Sequence, residues 1–425
     1  MLVRLTLASV KARKLMAGLT VFSIAVSMFV LFSVEHLRGE VRQNFERAVS
    51  GVDLIVGART SQLNLLLFSV FHVGSPSSNI SWNEYLTLAD AKSVKWAIPI
   101  SLGDSHQGFP VVGTTDQYFT HFRYGNKNAV DFALGHAFTQ PRDMVLGATV
   151  AQKLGYQLGQ EIVLAHGTGK VSFTHHNQFP FIAVGVLEAT GTPIDQSVFV
   201  PIESIDAMHS ISGTRTISRH SSEPINSDIH EDDHAQHSVI DSNLQLSAVY
   251  LGLTNKISTL QVQRVINTDQ QAPMSAILPG VALAELWNLM KGVETSLSLV
   301  SSLILFAAML GMLTMLLASI HERQREIAVL RALGANAFLI VLMIECEAIF
   351  LALSGCIIGY LMTNICIWLS ADYVQTQYGL LLSPLGYSDA VLQYVLLGLG
   401  LAMILALVPA VSAYRRALSN GLSAK

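Results

Sequence analysis

Two clusters in this chain hold enough charge and nitrogen to do chemistry. The first is His230, His234 and His237, with Glu231, Asp232 and Asp233 between them. Imidazoles four and three residues apart line one face of a helix, and with a carboxylate they make a ligand set for Zn²⁺ or another divalent ion. Twelve of the fourteen histidines lie between residues 72 and 237, which favours a metal role. The cluster sits in residues 209–243, rich in Ser, Asp and His and poor in large apolar groups. Such a stretch buries too little area to offset its ordering entropy. A mobile, solvated surface insertion is therefore the competing expectation.

The second cluster is HERQREIAVLRALGA, residues 321–335. Arg323, Arg325 and Arg331 offer fixed charges to partner carboxylates. Ile327 and Leu330 share one face of the amphipathic end, and Gly334 reads as a helix stop. An ordinary basic loop, a helix held by anionic lipid and a helix docked on another protein all fit these residues. Nucleotide chemistry does not. HGTGKVS (166–172) contains a Gly-Lys pair, but the phosphate-cradling loop needs a glycine five positions before Gly169, and that position is Leu164. No acid–base pair or nucleophile arrangement marks an enzyme active site, so the chain is expected to be no enzyme and to bind no nucleotide itself.

The elements that position these clusters follow from composition. Of 425 residues, 51% are hydrophobic and 13% charged, with mean hydropathy +0.45; soluble domains run near a quarter charged. Uncharged stretches cover Leu15–Val34, Thr295–Ile320, Ala348–Ala371 (with a helical lead-in from Ala332) and Ala390–Tyr414. Each is long enough to cross a bilayer, which takes about 20 residues, and each must be helical to satisfy its own backbone. Leu15–Val34 reads as an anchor rather than a cleaved signal, because its apolar core is long and no small-x-small site follows.

Charge sets the orientation. Residues 35–294 hold 16 Lys and Arg against 24 Asp and Glu. The other ten basic residues lie at the N-terminus, between the second and third spans, or after the fourth. The loop 372–389 has none. The positive-inside rule then puts both termini and 321–335 in the cytoplasm and the long polar segment outside. The net charge of −4 carries no nucleic-acid signal. Cys346, Cys356 and Cys366 fall in or beside the third span, ten residues apart, as packing or lipid-facing thiols. Glu345 and Glu347, near the cytoplasmic entry of that span, read as interfacial or dimer-facing rather than as an ion path.

Outside the membrane, 38–50 continues the first span as a helical stalk. GVDLIVGA (51–58) is a short strand. Residues 81–94 read as a helix, with Ser81 and Glu84 at capping-box spacing. Strands follow at 96–102 and 109–114, and strand, helix, turn and strand over 144–165. Further strands fall at 178–191, 196–205, 247–254 and 274–279, with a helix near 257–267. From Gly280 a helix should run as one rod into the second span. The fold class is thus a membrane protein: four transmembrane α-helices with a large α+β extracytoplasmic domain between the first and second, carried on helical stalks. The expected division is 1–50, 51–279 and 280–425.

R-x-R-E-I-A-V-L-R-A-L-G-A, followed by an apolar run containing I-E-x-E-A, resembles the signature of the FtsX-like permeases, including MacB-type transporters. VLGATVAQKLGYQLGQEI and the closing PAVSAYRRAL resemble other stretches of that family, as does the order of one span, a large domain and three spans. The resemblance implies a permease subunit of an ABC transporter in a bacterial inner membrane. Its 321–334 segment would be the coupling helix, with Glu322, Arg323, Arg325, Glu326, Ile327, Leu330, Arg331 and Gly334 set against a separate cytoplasmic ATPase that holds the ATP. It further implies a homodimer, or a heterodimer with a similar permease. Work would pass to the outer domain by mechanotransmission, onto a periplasmic or outer-leaflet substrate. The 209–243 insertion departs from the family pattern. A zinc-handling system, and a regulator of a periplasmic partner such as a cell-wall hydrolase, remain the alternatives.

Overall fold

The computed structural model describes residues 13–76, 78–166, 174–175, 180–205, 207, 244–322, 329, 334–386 and 388–419. Its longest elements are helices: α1 (Lys14–Val49) near the N-terminus, then five short ones, α2 (Gln62–Phe71), α3 (Trp82–Ala89), α4 (Gln117–His121), α5 (Ala148–Leu154) and α6 (Thr259–Thr268), then α7 (Pro279–Glu322), α8 (Ala337–Tyr378) and α9 (Asp389–Ser419). Among the described residues α1, α7, α8 and α9 are long and apolar enough to cross a membrane. The chain divides into two compact units. A membrane unit comprises residues 1–41, 290–374 and 382–425; a globular unit comprises 42–289 and, far along the sequence, 375–381.

In the membrane unit the four helices share an apolar core. Ile24, Met28 and Phe32 of α1 meet Leu305, Met309 and Met312 of α7, Leu351 and Cys356 of α8, and Ala402 and Ala406 of α9. Lipid gives helices no hydrophobic reason to associate, so close packing has to supply it. Gly355 and Gly359 of α8 do this against α1: a Cβ on the first would meet Ile24 Cγ2 at 2.5 Å, and on the second Ala25 O at 2.8 Å. The three cysteines are free; Cys356 is buried, Cys346 half-buried and Cys366 exposed, as their spacing around a helix requires.

The globular unit is built on a mixed sheet. Its main path uses β1 (Leu54–Ala58), β2 (Val94–His106), β3 (Phe109–Thr114), β4 (Phe132–Gly135), β5 (Asp143–Leu146), β6 (Phe181–Leu187), β7 (Val198–Pro201), β8 (Ala248–Leu253) and β9 (Met274–Ile277), in the spatial order β9-β1-β8-β2-β3-β7-β5-β6-β4. Residue β1 Ile55 pairs with β8 Tyr250 and β9 Ile277. Side chains alternate across a strand, so Ile55, Tyr250 and Ile277 enter one core while Leu54, Val56, Val249 and Leu251 enter another. Burial on both faces explains why β1 and β8 read as unbroken apolar runs instead of alternating ones. The core under Ile55 also takes Ala48 and Val49 from the end of α1, Ala282 and Leu283 from the start of α7, and Leu65, Leu66 and Phe68 of α2. Phe45 of α1 stacks on Phe71 at 4.3 Å and meets Trp287 of α7 edge-on at 5.6 Å.

Several boundaries differ from the sequence expectation. The capping box at Ser81 and Glu84 forms, with Ser81 N donating to Glu84 Oε2 at 2.7 Å. The helix nevertheless ends at Ala89, because Val94 is taken into β2 by pairing with Leu253. Helix α2 was not expected; its apolar residues look strand-like, but Ser61 caps Asn64 N and turns the run into a buried helix. Helix α8 begins at Ala337, and it continues past Ala371 to Tyr378, stopping where Gly379 takes φ +67°.

Candidate functional site

After β6 comes Thr190-Gly191-Thr192-Pro193-Ile194-Asp195. Proline presets the backbone for a tight turn, and Pro193–Gln196 forms one turn of 3₁₀ helix. Asp195 folds back and accepts from Thr190 N at 2.8 Å, Thr190 Oγ1 at 2.7 Å and Gly191 N at 2.7 Å. Burial raises its carboxyl above the usual range, and these three donors offset that rise only in part. The loop presses on the β5–α5 turn, where a Cβ on Gly147 would stand 2.4 Å from Ile194 O. Behind it, Ser197 Oγ donates to Pro193 O at 2.8 Å and lies 3.3 Å from Nδ1 of His72, the left-handed C-cap of α2. Burial holds the His72 imidazole down at about 4, so it is neutral in the fold at ordinary pH.

Segment Gln375–Leu381 packs on this loop within the globular unit. Gly191, at φ +68°, accepts Leu381: a Cβ there would meet Leu381 Cδ1 at 2.3 Å. A Cβ on Gly379 would meet Gln196 Nε2 at 2.8 Å. Lys153 of α5 donates to Gln377 Oε1 at 2.9 Å, and Asn44 of α1 donates to Leu381 O at 3.0 Å. Within the membrane unit the following residues are held as closely. Ser383 O accepts from His36 Nε2 at 2.8 Å, Ser383 Oγ donates to Glu40, and Leu385 O accepts from Tyr360 at 2.8 Å. Tyr394 donates to Glu35 at 3.2 Å, and Arg38 lies 3.5 Å from Glu35 and 3.8 Å from Glu294 of α7. These donors and acceptors do no bond-making chemistry. They grip a stretch of chain, so the loop between α8 and α9 is fastened to α1 and to the 190–197 loop. In the sequence it is only a short connection without basic residues; the turn signal in Thr-Gly-Thr-Pro and the uncharged Gly379–Tyr387 are the available cues.

The sequence-predicted residues fare differently. Glu322 ends α7, and Gly334 is exposed at φ +95°, the left-handed conformation a helix stop needs. Arg323, Arg325, Glu326, Ile327, Leu330 and Arg331 lie outside the described residues, as do His230, His234 and His237. Among the described residues, no group of three or more His, Cys, Asp or Glu is placed to hold a metal. Glu347 is buried within α8, and both carboxylate oxygens of Glu345 are buried without a hydrogen-bond partner among the described residues.

Residues 16–267 match the MacB-like periplasmic core domain and residues 298–419 the FtsX-like permease C-terminal domain. The chain belongs to this FtsX/MacB-type permease family. It is therefore a permease subunit of an ABC transporter, an inner-membrane protein with a periplasmic domain, and the family implies an ABC ATPase as partner. Two solved structures are similar over part of the chain. The periplasmic region of MacB from Actinobacillus actinomycetemcomitans is 10% identical, with TM-score 0.33 over 57% of this chain and 98% of that one. The extracellular domain of the noncanonic ABC-type transporter YknZ from Gram-positive bacteria is 12% identical, with TM-score 0.31 over 53% and 98%. No curated protein matches the chain.

Two tests follow from this geometry. Because the folded pKa of His72 is depressed, its share of stability is whole above about pH 6.5 and is lost as pH falls toward 4. Thermal midpoints of the full chain and His72→Asn should run parallel above pH 6.5, with the wild type falling more steeply below; equal slopes would remove the burial assignment. Gly191→Ala should cost at least about 1 kcal/mol, since alanine strains at positive φ, and should raise proteolysis between residues 375 and 388 several-fold. Unchanged cleavage would mean that Gly191 does not hold Leu381.

Proposed function

We propose that this permease works by mechanotransmission, with ATP closure of a partner ATPase pair displacing the cytoplasmic ends of the membrane helices and so reshaping the periplasmic domain. One observation carries the reading. Helices α1 and α7 each contribute to two separate cores without a break: Ile24, Met28 and Phe32 against Ala48 and Val49 in α1, Leu305 and Met309 against Ala282 and Leu283 in α7. A helix is stiff over such lengths, so a shift at one end is felt at the other. In this reading both termini and residues 321–335 are cytoplasmic, in line with the ten basic residues found there.

The coupling helix is 321–334. Arg323, Arg325, Glu326 and Arg331 make the charged contacts with the ATPase, Glu322 and Gly334 bound the element, and Ile327 and Leu330 wedge into its surface. Two permease chains sit over two ATPases, and substrate is engaged in the periplasm or outer leaflet. The loop between α8 and α9 supports the same reading, since Asn44 and Gly191 tie Leu381 into the periplasmic domain. A second reading rests on the spacing of His230, His234 and His237, which fits Zn²⁺ capture on the way to or from the transporter.

The double change Arg325→Glu and Arg331→Glu should abolish co-purification of the ATPase and lower its stimulated activity at least tenfold, while the permease still inserts and folds. Retained association would place the docking surface elsewhere. Deleting 209–243 should remove Zn²⁺ binding measured by calorimetry; unchanged affinity would discard the metal reading.

A further inference from the structure

A straight helix presents a convex surface to lipid. Helix α9 departs from this toward its end. A groove of about 630 Å³ lies there, lined among the described residues by Leu407, Val408, Val411, Ser412 and Arg415. That size is within the roughly 300–1,000 Å³ of small-molecule sites. Pro409 accounts for it. Proline inside a helix removes one hydrogen bond and bends the chain away from its ring, and Pro409 is buried. At 3.6 residues per turn, Leu407 and Val411, two positions to either side, point nearly opposite that ring. The bend hollows the face they share.

The groove is graded along its length. Leu407, Val408 and Val411 are apolar and 45–54% exposed. Beyond them Ser412 adds a hydroxyl and Arg415 a guanidinium. The gradient matches the membrane in depth. Tyr394, near the start of α9, donates to Glu35, and tyrosine favours the membrane interface. Arg415 comes 21 residues later, about 32 Å at 1.5 Å per residue. Hydrocarbon is about 30 Å thick, so the guanidinium stands at the phosphate level of the leaflet opposite the Tyr394 end. From Leu407 to Arg415 is about 12 Å, less than the roughly 15 Å of hydrocarbon in one leaflet. Arg415 is exposed, and among the described residues no carboxylate pairs with it. Its planar fork of donors is suited to gripping two phosphate oxygens at once.

We propose that this groove binds one anionic phospholipid. Arg415 donates to its phosphate, Ser412 donates to an oxygen beside the phosphate, and an acyl chain runs down over Val411, Val408 and Leu407. Charge complementarity selects this occupant. A zwitterionic lipid carries its own cation, which competes with Arg415 for the phosphate, whereas an anionic lipid brings a net charge that the arginine neutralises. A soluble anion would leave the three apolar side chains uncovered. The bound lipid fills the hollow opposite Pro409 and so braces the bent end of α9. The site needs no ATPase, so its failure leaves the coupling assignment standing.

The test is native mass spectrometry of the full chain, purified without an ATPase and given equal amounts of phosphatidylglycerol and phosphatidylethanolamine. The wild type should retain phosphatidylglycerol at least fivefold over phosphatidylethanolamine. Arg415→Gln should abolish that preference. Val408→Trp, which fills the groove and leaves the guanidinium in place, should cut retained phosphatidylglycerol several-fold. Lys14→Gln, which removes an exposed cation of α1, should change neither figure. Equal retention of the two lipids by the wild type would make this face ordinary lipid contact and overturn the proposal. So would a preference that survives Arg415→Gln, unchanged retention in Val408→Trp, or an equal loss in Lys14→Gln.

Discussion

A chain in hydrocarbon has no water to bond its backbone, so it must cross as helix, and the rest of this molecule follows from how far those helices run. About 20 residues suffice for a crossing. Helix α1 has 36, α7 has 44 and α8 has 42. At 1.5 Å per residue, the surplus amounts to roughly 25–35 Å of rod in each. That length is unbroken: Pro279 starts α7, Gly379 follows the end of α8, Gly355 and Gly359 face another helix, and the helices run on through Gly39, Gly292 and Gly311. Helix α9, with 31 residues and an internal Pro409, is the exception.

Each rod is anchored by packing at its globular end. Ala48, Val49 and Phe45 on α1 and Ala282, Leu283 and Trp287 on α7 enter the core under β1, β8 and β9. Burying such side chains is worth about 1.5–3 kcal/mol for each of the larger ones, so pulling a rod out of that core is costly and moving the core with it is cheaper. The buried turn at Asp195 extends the same logic to a third attachment. Its carboxylate spends its lone pairs on its own loop, and the stiffened loop presents Gly191 as the seat for Leu381. Hydrogen bonds fix direction there, and van der Waals contact fixes distance.

Much of this was legible in the residues because it rests on local patterns. Uncharged runs gave the spans, and Ser81 with Glu84 gave a cap that the fold uses. Strand 54–58 was legible as a short apolar run bounded by glycines, and 248–253 as a run of β-favouring apolar residues. What escaped depends on tertiary context. Helix α2 has the composition of a buried strand and is decided by the Ser61 cap. The seat at Gly191 depends on Leu381, 190 residues away, and no periodicity links them. The 321–334 motif was the reverse case, since resemblance assigned it a role that its own residues left open.

The central claim is that work done on the cytoplasmic side arrives in the periplasmic domain through continuous helices. Hydrogen exchange on the permease–ATPase complex tests it most directly, comparing the nucleotide-free state with one held by a non-hydrolysable ATP analogue. The account predicts that protection changes together in residues 36–49, 279–289 and 375–381, all remote from the nucleotide. Changes confined to the ATPase and to residues 321–335, with those three stretches exchanging at the same rates in both states, would contradict it.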